Sequence, residues 1–94
     1  MARMSPYVSR IVGEPMRFMV RSRRPGVPVY LVDLQSYRGN GQCGCEHFTF
    51  RCEPRLVRGS VPSPANRCWH IEQARQVFLD DCLHGIRQHQ QKTK

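Results

Sequence analysis

The chain has 94 residues, enough for one small domain, and its apolar fraction of 39% supports only a limited core. Fifteen basic residues against seven acidic ones give a net charge of +8, which favours an anionic partner such as nucleic acid or an acidic protein face. No apolar run is long enough to span a membrane, and the N-terminus lacks the apolar stretch of a secretory signal. We therefore expect an intracellular protein, cytoplasmic or nuclear, with no membrane partner.

The first half of the chain predicts extended structure. Residues 1–15 lack a sustained period and are expected to form an arm, or one short strand within 7–12. Residues 16–23 place Phe18 and Val20 on one side and arginines on the other, which indicates a strand. A Pro-Gly turn leads to a second strand over 28–35, and the two are predicted to pair as a hairpin. A glycine-rich turn at 39–41 then precedes a third predicted strand, or a short hairpin, over 42–52.

The second half changes character. Residues 53–67 are rich in Pro, Gly and Ser and predict a long basic loop. Beyond it, apolar residues recur every three or four positions, so a helix is predicted from about 69 to about 88, with Cys82 on its apolar face. Asn66, or Ser63 before Pro64, is the candidate cap. Residues 89–94 form a polar tail, which leaves 16–88 as the expected domain.

Four potential metal ligands form two pairs, Cys43 with Cys45 after the hairpin and Cys68 with His70 at the predicted helix start. Structural zinc takes four such ligands in a tetrahedron. An odd number of cysteines in a reducing compartment disfavours a complete set of disulfides. One structural Zn²⁺ is therefore predicted. The fold class is α+β: a small zinc-stabilised ββα-type domain in which an antiparallel hairpin or sheet precedes one C-terminal helix.

Local features of the two pairs support this prediction. Gly44 is expected to let the backbone tighten so that both flanking thiols reach one ion. The helix N-terminus favours thiolate charge nearby, and Arg67 and Arg51 are expected to lower thiol pKa values further. Cys52 is an alternative ligand, or otherwise a small residue under the loop.

The arrangement resembles the SWIM-type zinc finger, whose pattern is C-x-C, a variable gap and C-x-H, here Cys43-Gly44-Cys45 and Cys68-Trp69-His70. The flanking parts are also similar, with two strands before the first pair and an apolar helix after the second. The chain departs from the family at Gly44, where a hydroxyl residue is common, at Trp69, where a basic residue is common, and in its long loop. The resemblance implies a module that binds DNA or proteins, often within a larger protein.

These observations predict a non-catalytic module that binds nucleic acid through a basic surface. The residues expected to contact phosphates are Arg21, Arg23, Arg24, Arg51, Arg55, Arg58 and Arg67. The alternatives are a protein-interaction adaptor that docks on a larger nucleic-acid-processing enzyme, and a metal-free protein with redox-reactive thiols. Because Cys68 and His70 are near neighbours, they do not supply a nucleophile, a base and an orienting group. Neither an enzyme nor a small-molecule substrate is predicted.

Overall fold

The centre of the fold is the predicted hairpin. The computed structural model describes residues 6–23, 26 and 28–92, with side chains up to position 83. Strand β2 (Glu14–Arg21) pairs antiparallel with β3 (Val29–Asp33), and Phe18 lies opposite Val32. The predicted alternation is confirmed, because Phe18 and Val20 are buried while the arginines of β2 are exposed.

Two further strands extend the hairpin into a four-stranded antiparallel sheet in the order β1-β2-β3-β4. Strand β1 (Val8–Ile11) pairs with β2, so this part of the chain forms the short strand rather than the arm. Arg10 of β1 makes a bidentate ion pair with Asp81, with nitrogen-to-oxygen distances of 2.7 to 2.9 Å. Strand β4 (Gln42–Cys43) pairs with β3 on the other side. This pairing brings the first metal-ligand pair to the sheet.

The prediction of a strand over 42–52 is wrong beyond Cys43, and the prediction of a loop over 53–67 is wrong in part. The chain forms a π-helical turn at Phe48–Cys52, continues as helix α2 (Glu53–Val57) and later forms a 3₁₀ turn at Pro64–Asn66. Phe48, Cys52 and Leu56 are buried at intervals of four, which is a helical spacing. Pro54 lies in the first turn of α2, a position where its missing N–H costs nothing.

Helix α3 (Trp69–Lys92) covers the sheet and confirms the predicted C-terminal helix. Ile71, Ala74 and Val77 are buried against the sheet residues. Cys82, expected in the core as part of the apolar face, is exposed; along α3 the described buried residues end at Val77. Among the described residues no helix has both the length and the apolar character that crossing a bilayer requires. The architecture is α+β, as predicted.

The turn before β4 is left-handed and tightly packed. It comprises α1 (Ser36–Gly39), in which Tyr37 and Arg38 have φ values of 53° and 57°. Gly41 has φ of +100°, and a Cβ on it would lie 2.7 Å from Cγ2 of Ile71 in α3. This turn therefore sets how closely β4 approaches the start of α3.

Asn40, fully buried in the same turn, links it to the segment before α3. Its amide nitrogen donates to the carbonyls of Gly41 and Asn66, at 3.0 and 2.9 Å, and its amide oxygen accepts from the Ser63 N–H at 3.3 Å. Asn66 is also buried, and its side chain donates to the Val61 carbonyl. Asn66 is therefore not the cap of α3; Ser63 precedes the 3₁₀ turn and makes no capping bond.

Candidate metal centre

The two predicted ligand pairs lie together. Cys43 ends β4, Cys45 follows two positions later, Cys68 immediately precedes α3, and His70 lies in its first turn. The three sulfurs and one imidazole nitrogen all lie within 4.8 Å of one another. The three cysteines are buried in the core, whereas the His70 side chain is partly exposed. This cluster could hold one metal ion, and its four ligands are those of a zinc-finger-like site.

The imidazole of His70 is oriented with one nitrogen towards the thiols. Its Nδ1 lies 3.8 Å from Cys68 Sγ, and its Nε2 lies 2.7 Å from Ser22 Oγ. When Nδ1 offers its lone pair to a metal, Nε2 carries the proton and donates to Ser22. The ring also contacts Tyr30 and Trp69, with centroid separations of 5.0 and 5.5 Å. The Ser22 hydroxyl can accept the hydrogen bond from Nε2, so the geometry is compatible with the tautomer that a metal at Nδ1 needs.

The pKa values of Cys45 and Cys68 are raised, whereas lowered values were expected. A hydrogen bond that the protonated Cys68 thiol donates to Cys43, together with burial, raises the pKa of Cys68 to about 12. Burial also raises the pKa of Cys45, although the Phe48 N–H donates to its sulfur at 3.5 Å. The expectation that Arg67 and Arg51 lower these pKa values was wrong, because thiol burial and thiol–thiol contacts dominate. An arriving ion must therefore displace protons from these sulfurs.

Two neighbours of the cluster also differ in detail from their predicted roles. Gly44 does not have a positive φ, and a Cβ there would make an ordinary contact 3.8 Å from Tyr30. The first pair therefore converges without a conformation that only glycine adopts. Cys52 is fully buried but stands outside the group of mutually close ligand atoms, which fits the small buried residue rather than the alternative ligand.

Of the seven arginines predicted to contact phosphates, the six that the structure describes do not form one surface. The expectation for Arg67 was wrong: its side chain is 10% exposed, its Nε donates to the Asn40 carbonyl, and its guanidinium lies 3.8 Å from the Glu72 carboxylate. Arg24 lies outside the described residues. Arg21 and Arg23 lie near the end of β2, over the rings of Tyr7 and Trp69.

The remaining three arginines lie together. Arg51, Arg55 and Arg58 line one open groove on the outer side of α2 and its preceding π-helical turn, and we call this surface the arginine groove. Arg55 donates to the Ala65 carbonyl at 3.0 Å. Within the described part of the chain, none of the three forms an ion pair with a carboxylate, in contrast to Arg10 and Arg17.

Sequence reasoning missed two residues that shape the centre, Ser22 and Asn40. Ser22 is 48 positions from the histidine that it contacts, and only the hairpin brings the two together. Asn40 was treated as part of a generic turn, and its neighbouring glycines were the only local signal. Both act through contacts that are distant in sequence, so pattern and spacing alone do not reveal them.

Chemically, the centre can gather three thiolates and one imidazole around a cation. These four side chains leave no coordination position for water or substrate when all of them bind a tetrahedral ion. Comparison of the chain with models of protein families, with curated proteins and with solved structures gave no match.

Proposed function

We propose that the chain is a SWIM-like module in which a structural Zn²⁺ supports a surface that binds nucleic acid, without catalysis. The observation that carries the proposal is the arginine groove, in which three cations lie without carboxylate partners among the described residues. Arg51, Arg55 and Arg58 all belong to the segment between the two ligand pairs. A metal bound by both pairs would therefore close the chain segment that carries the basic surface into a loop.

Three thiolates and an imidazole are a common donor set for structural zinc. Zinc–sulfur bonds of about 2.3 Å place tetrahedral sulfurs about 3.8 Å apart. The donors, all within 4.8 Å of one another, need only a small contraction to meet this geometry. The order of the parts supports the SWIM-like assignment, since the first pair follows the hairpin and the second begins α3. Because all four positions are filled by protein, the ion is proposed to be structural.

The charge distribution supports an anionic polymer as the partner. Unpaired guanidinium groups attract phosphates, and each phosphate contact releases a counterion. No acidic side chain lines the arginine groove in the described part of the chain. Arg21 is exposed and could add a contact elsewhere on the same polymer. Arg67 does not belong to this surface, because its guanidinium is used inside the protein.

The test is a binding titration of the full zinc-loaded chain with labelled single-stranded and duplex oligonucleotides across a salt series. We expect binding at low salt, with the logarithm of affinity falling linearly with the logarithm of salt concentration. Arg51→Gln and Arg58→Gln should each reduce the magnitude of this slope by about 0.7 to 0.9, the value of one phosphate contact.

The matched control is Arg17→Gln. It removes the same charge from an exposed side chain, but Arg17 already pairs with Glu14 and Asp33. Its salt slope should stay close to that of the parent. If no oligonucleotide binds at low salt, or if all three variants lower the affinity equally, the arginine groove is not a nucleic-acid surface.

A protein-interaction adaptor is the second candidate, and a specific surface favours it. An apolar cavity of about 340 Å³ lies between the β1–β2 turn and α3, and Ile11 and Phe78 line it. Val12, Leu79 and Leu83 are exposed on these elements. Leu83→Glu should then abolish co-purification of a partner that survives nuclease treatment. A partner retained by this variant would contradict docking at this site.

A further inference from the structure

We propose that the arginine groove selects single-stranded nucleic acid, with Phe50 as the ring on which an unpaired base stacks. This inference rests on the proposed function and specifies its ligand. It requires an aromatic face open to solvent, cations placed to hold the adjoining phosphates, and a backbone that keeps both in position. The contacts and exposures of the helical segment 46–58 supply each of these.

Phe50 is the exposed ring of this segment. Its side chain is 72% exposed, whereas Phe48, two residues earlier, is fully buried. Phe48 and Cys52 pack inward on either side of Phe50 in sequence, so the helical backbone directs Phe50 outward. Phe50 could turn inward only if the two buried residues left the core. The exposed position is therefore built into the fold.

The cations lie beside this ring. Arg51, Arg55 and Arg58 follow the spacing i, i+4 and i+7, which places them along one helix face. Phe50 and the exposed His47 line the same groove, one helical turn apart, so two rings lie beside the arginines. Arg55 is tethered by its bond to the Ala65 carbonyl, which reduces the entropy lost when it binds an anion.

The π-helical turn contributes both a ring and a cation to the groove. The turn Phe48–Cys52 precedes α2, and Arg58 is the C-cap residue that follows α2. A π-helical turn adds a residue to the helical repeat, and such turns occur frequently at functional sites. Phe50 and Arg51 both belong to this turn, and both line the groove.

These features favour an unpaired strand over a duplex. In a duplex the base faces are covered by their neighbours, and only an unpaired base can offer its face to an aromatic ring. Stacking tolerates any base, and arginines hold the backbone without reading sequence. The groove should therefore accept DNA and RNA strands alike, with little base preference.

The experiment measures binding of the full zinc-loaded chain by fluorescence anisotropy. The probes are a thymidine strand of about 15 nucleotides, a uridine strand and an abasic strand of equal length, and a duplex. We expect similar affinities for the first two and at least about fivefold weaker binding of the abasic strand and the duplex. Phe50→Ala should weaken thymidine-strand binding by a similar factor and leave abasic-strand binding unchanged. Phe50→Trp should retain binding.

The matched control is Val57→Ala, an exposed apolar residue of α2 that does not line the groove. It should bind every probe as the parent does, and zinc content should show that each variant is intact. A Phe50→Ala variant that binds the thymidine strand normally, or a duplex that binds as tightly as the strand, overturns the inference but leaves the proposed function standing. Absence of binding to every probe at low salt overturns both.

Discussion

The imidazole of His70 is fixed by three neighbours that come from different parts of the chain. Ser22, just after β2, contacts Nε2 of the imidazole. The ring of Tyr30 makes a tilted contact with the imidazole, and the ring of Trp69 makes a T-shaped one. Side chains that bind the far nitrogen of a ligating histidine fix its orientation and increase its basicity. If the cluster binds a metal, Ser22 is therefore expected to position His70 without being a ligand itself.

Ser22→Ala should weaken metal affinity by about 10- to 100-fold, because the imidazole loses the acceptor that orients Nε2. Competition with a chromogenic chelator measures this change, and Ser22→Thr, which keeps a hydroxyl, should restore much of the affinity. Ser9→Ala, on the exposed side of β1, is the matched control. Equal affinities for the Ser22→Ala and Ser9→Ala variants would show that the hydroxyl does not contribute.

At this scale, the sequence was sufficient to identify the four clustered residues but not their surroundings. The ligand types and their spacing predicted Cys43, Cys45, Cys68 and His70, which do lie within 4.8 Å of one another. The role of Arg67 was misjudged because its charge is visible in the sequence whereas its burial is not. Cys82 was misjudged because the apolar period gives its position on the helix but not its exposure: with Phe18 and Phe78 it lines a cavity that leaves its side chain exposed.

Among the elements, the hairpin and α3 were predictable because their apolar periods of 2 and 3.6 are sustained. Residues 44–57 were not, because Phe48 and Phe50 favour a strand by type while Phe48, Cys52 and Leu56 follow a helical spacing. The segment is helical in the structure, because this conformation buries Phe48, Cys52 and Leu56 in the core. The short elements between the ligand pairs depend on long-range contacts such as those of Asn40, which no local pattern reports.

The packing of β4 against α3 gives a comparison between two nearby glycines. Gly41→Ala should destabilise the domain by about 1–3 kcal/mol, because φ is +100° and the new Cβ would overlap Ile71 at 2.7 Å. Gly44→Ala should change stability by less than about 1 kcal/mol, since its φ is not positive and Tyr30 lies at an ordinary contact distance. Chemical unfolding of both zinc-loaded variants measures the difference, and equal stabilities would contradict the close approach of β4 to α3.

For the whole molecule, the ion is expected to decide whether the domain folds. A structural zinc site supplies roughly 10–16 kcal/mol of apparent binding free energy, which is comparable to the total stability of about 5–15 kcal/mol of a typical domain. Zinc analysis should give about one ion per chain, and a strong chelator should abolish the fold, with recovery when zinc is returned. Trp69 fluorescence reports the transition, because its ring contacts His70. Unchanged fluorescence and circular dichroism in the chelator would contradict a structural ion.

The raised pKa values of the thiols determine whether metal affinity rises or falls with pH. Cys68, with a pKa raised to about 12, and Cys45 hold their protons in the metal-free fold at neutral pH. Protons therefore compete with the ion, so metal affinity should fall as pH falls from about 8 to about 5 and rise in the opposite direction. Zinc uptake should release protons from the thiol ligands, which calorimetry in buffers of different ionisation enthalpy measures. Cys82→Ser is the control, and affinity independent of pH would exclude thiolate ligation.

The bidentate pair of Arg10 with Asp81 joins residues 71 positions apart, one on the edge strand β1 and the other on α3. It fastens the outermost strand to the helix that begins at the metal centre, at a distance from the ligands themselves. Truncating the chain just after Arg10 would thus remove most of the edge strand β1. It would also leave the Asp81 carboxylate without its Arg10 partner. The N-terminal boundary of an expressible fragment should accordingly be chosen upstream of β1, and not at the hairpin.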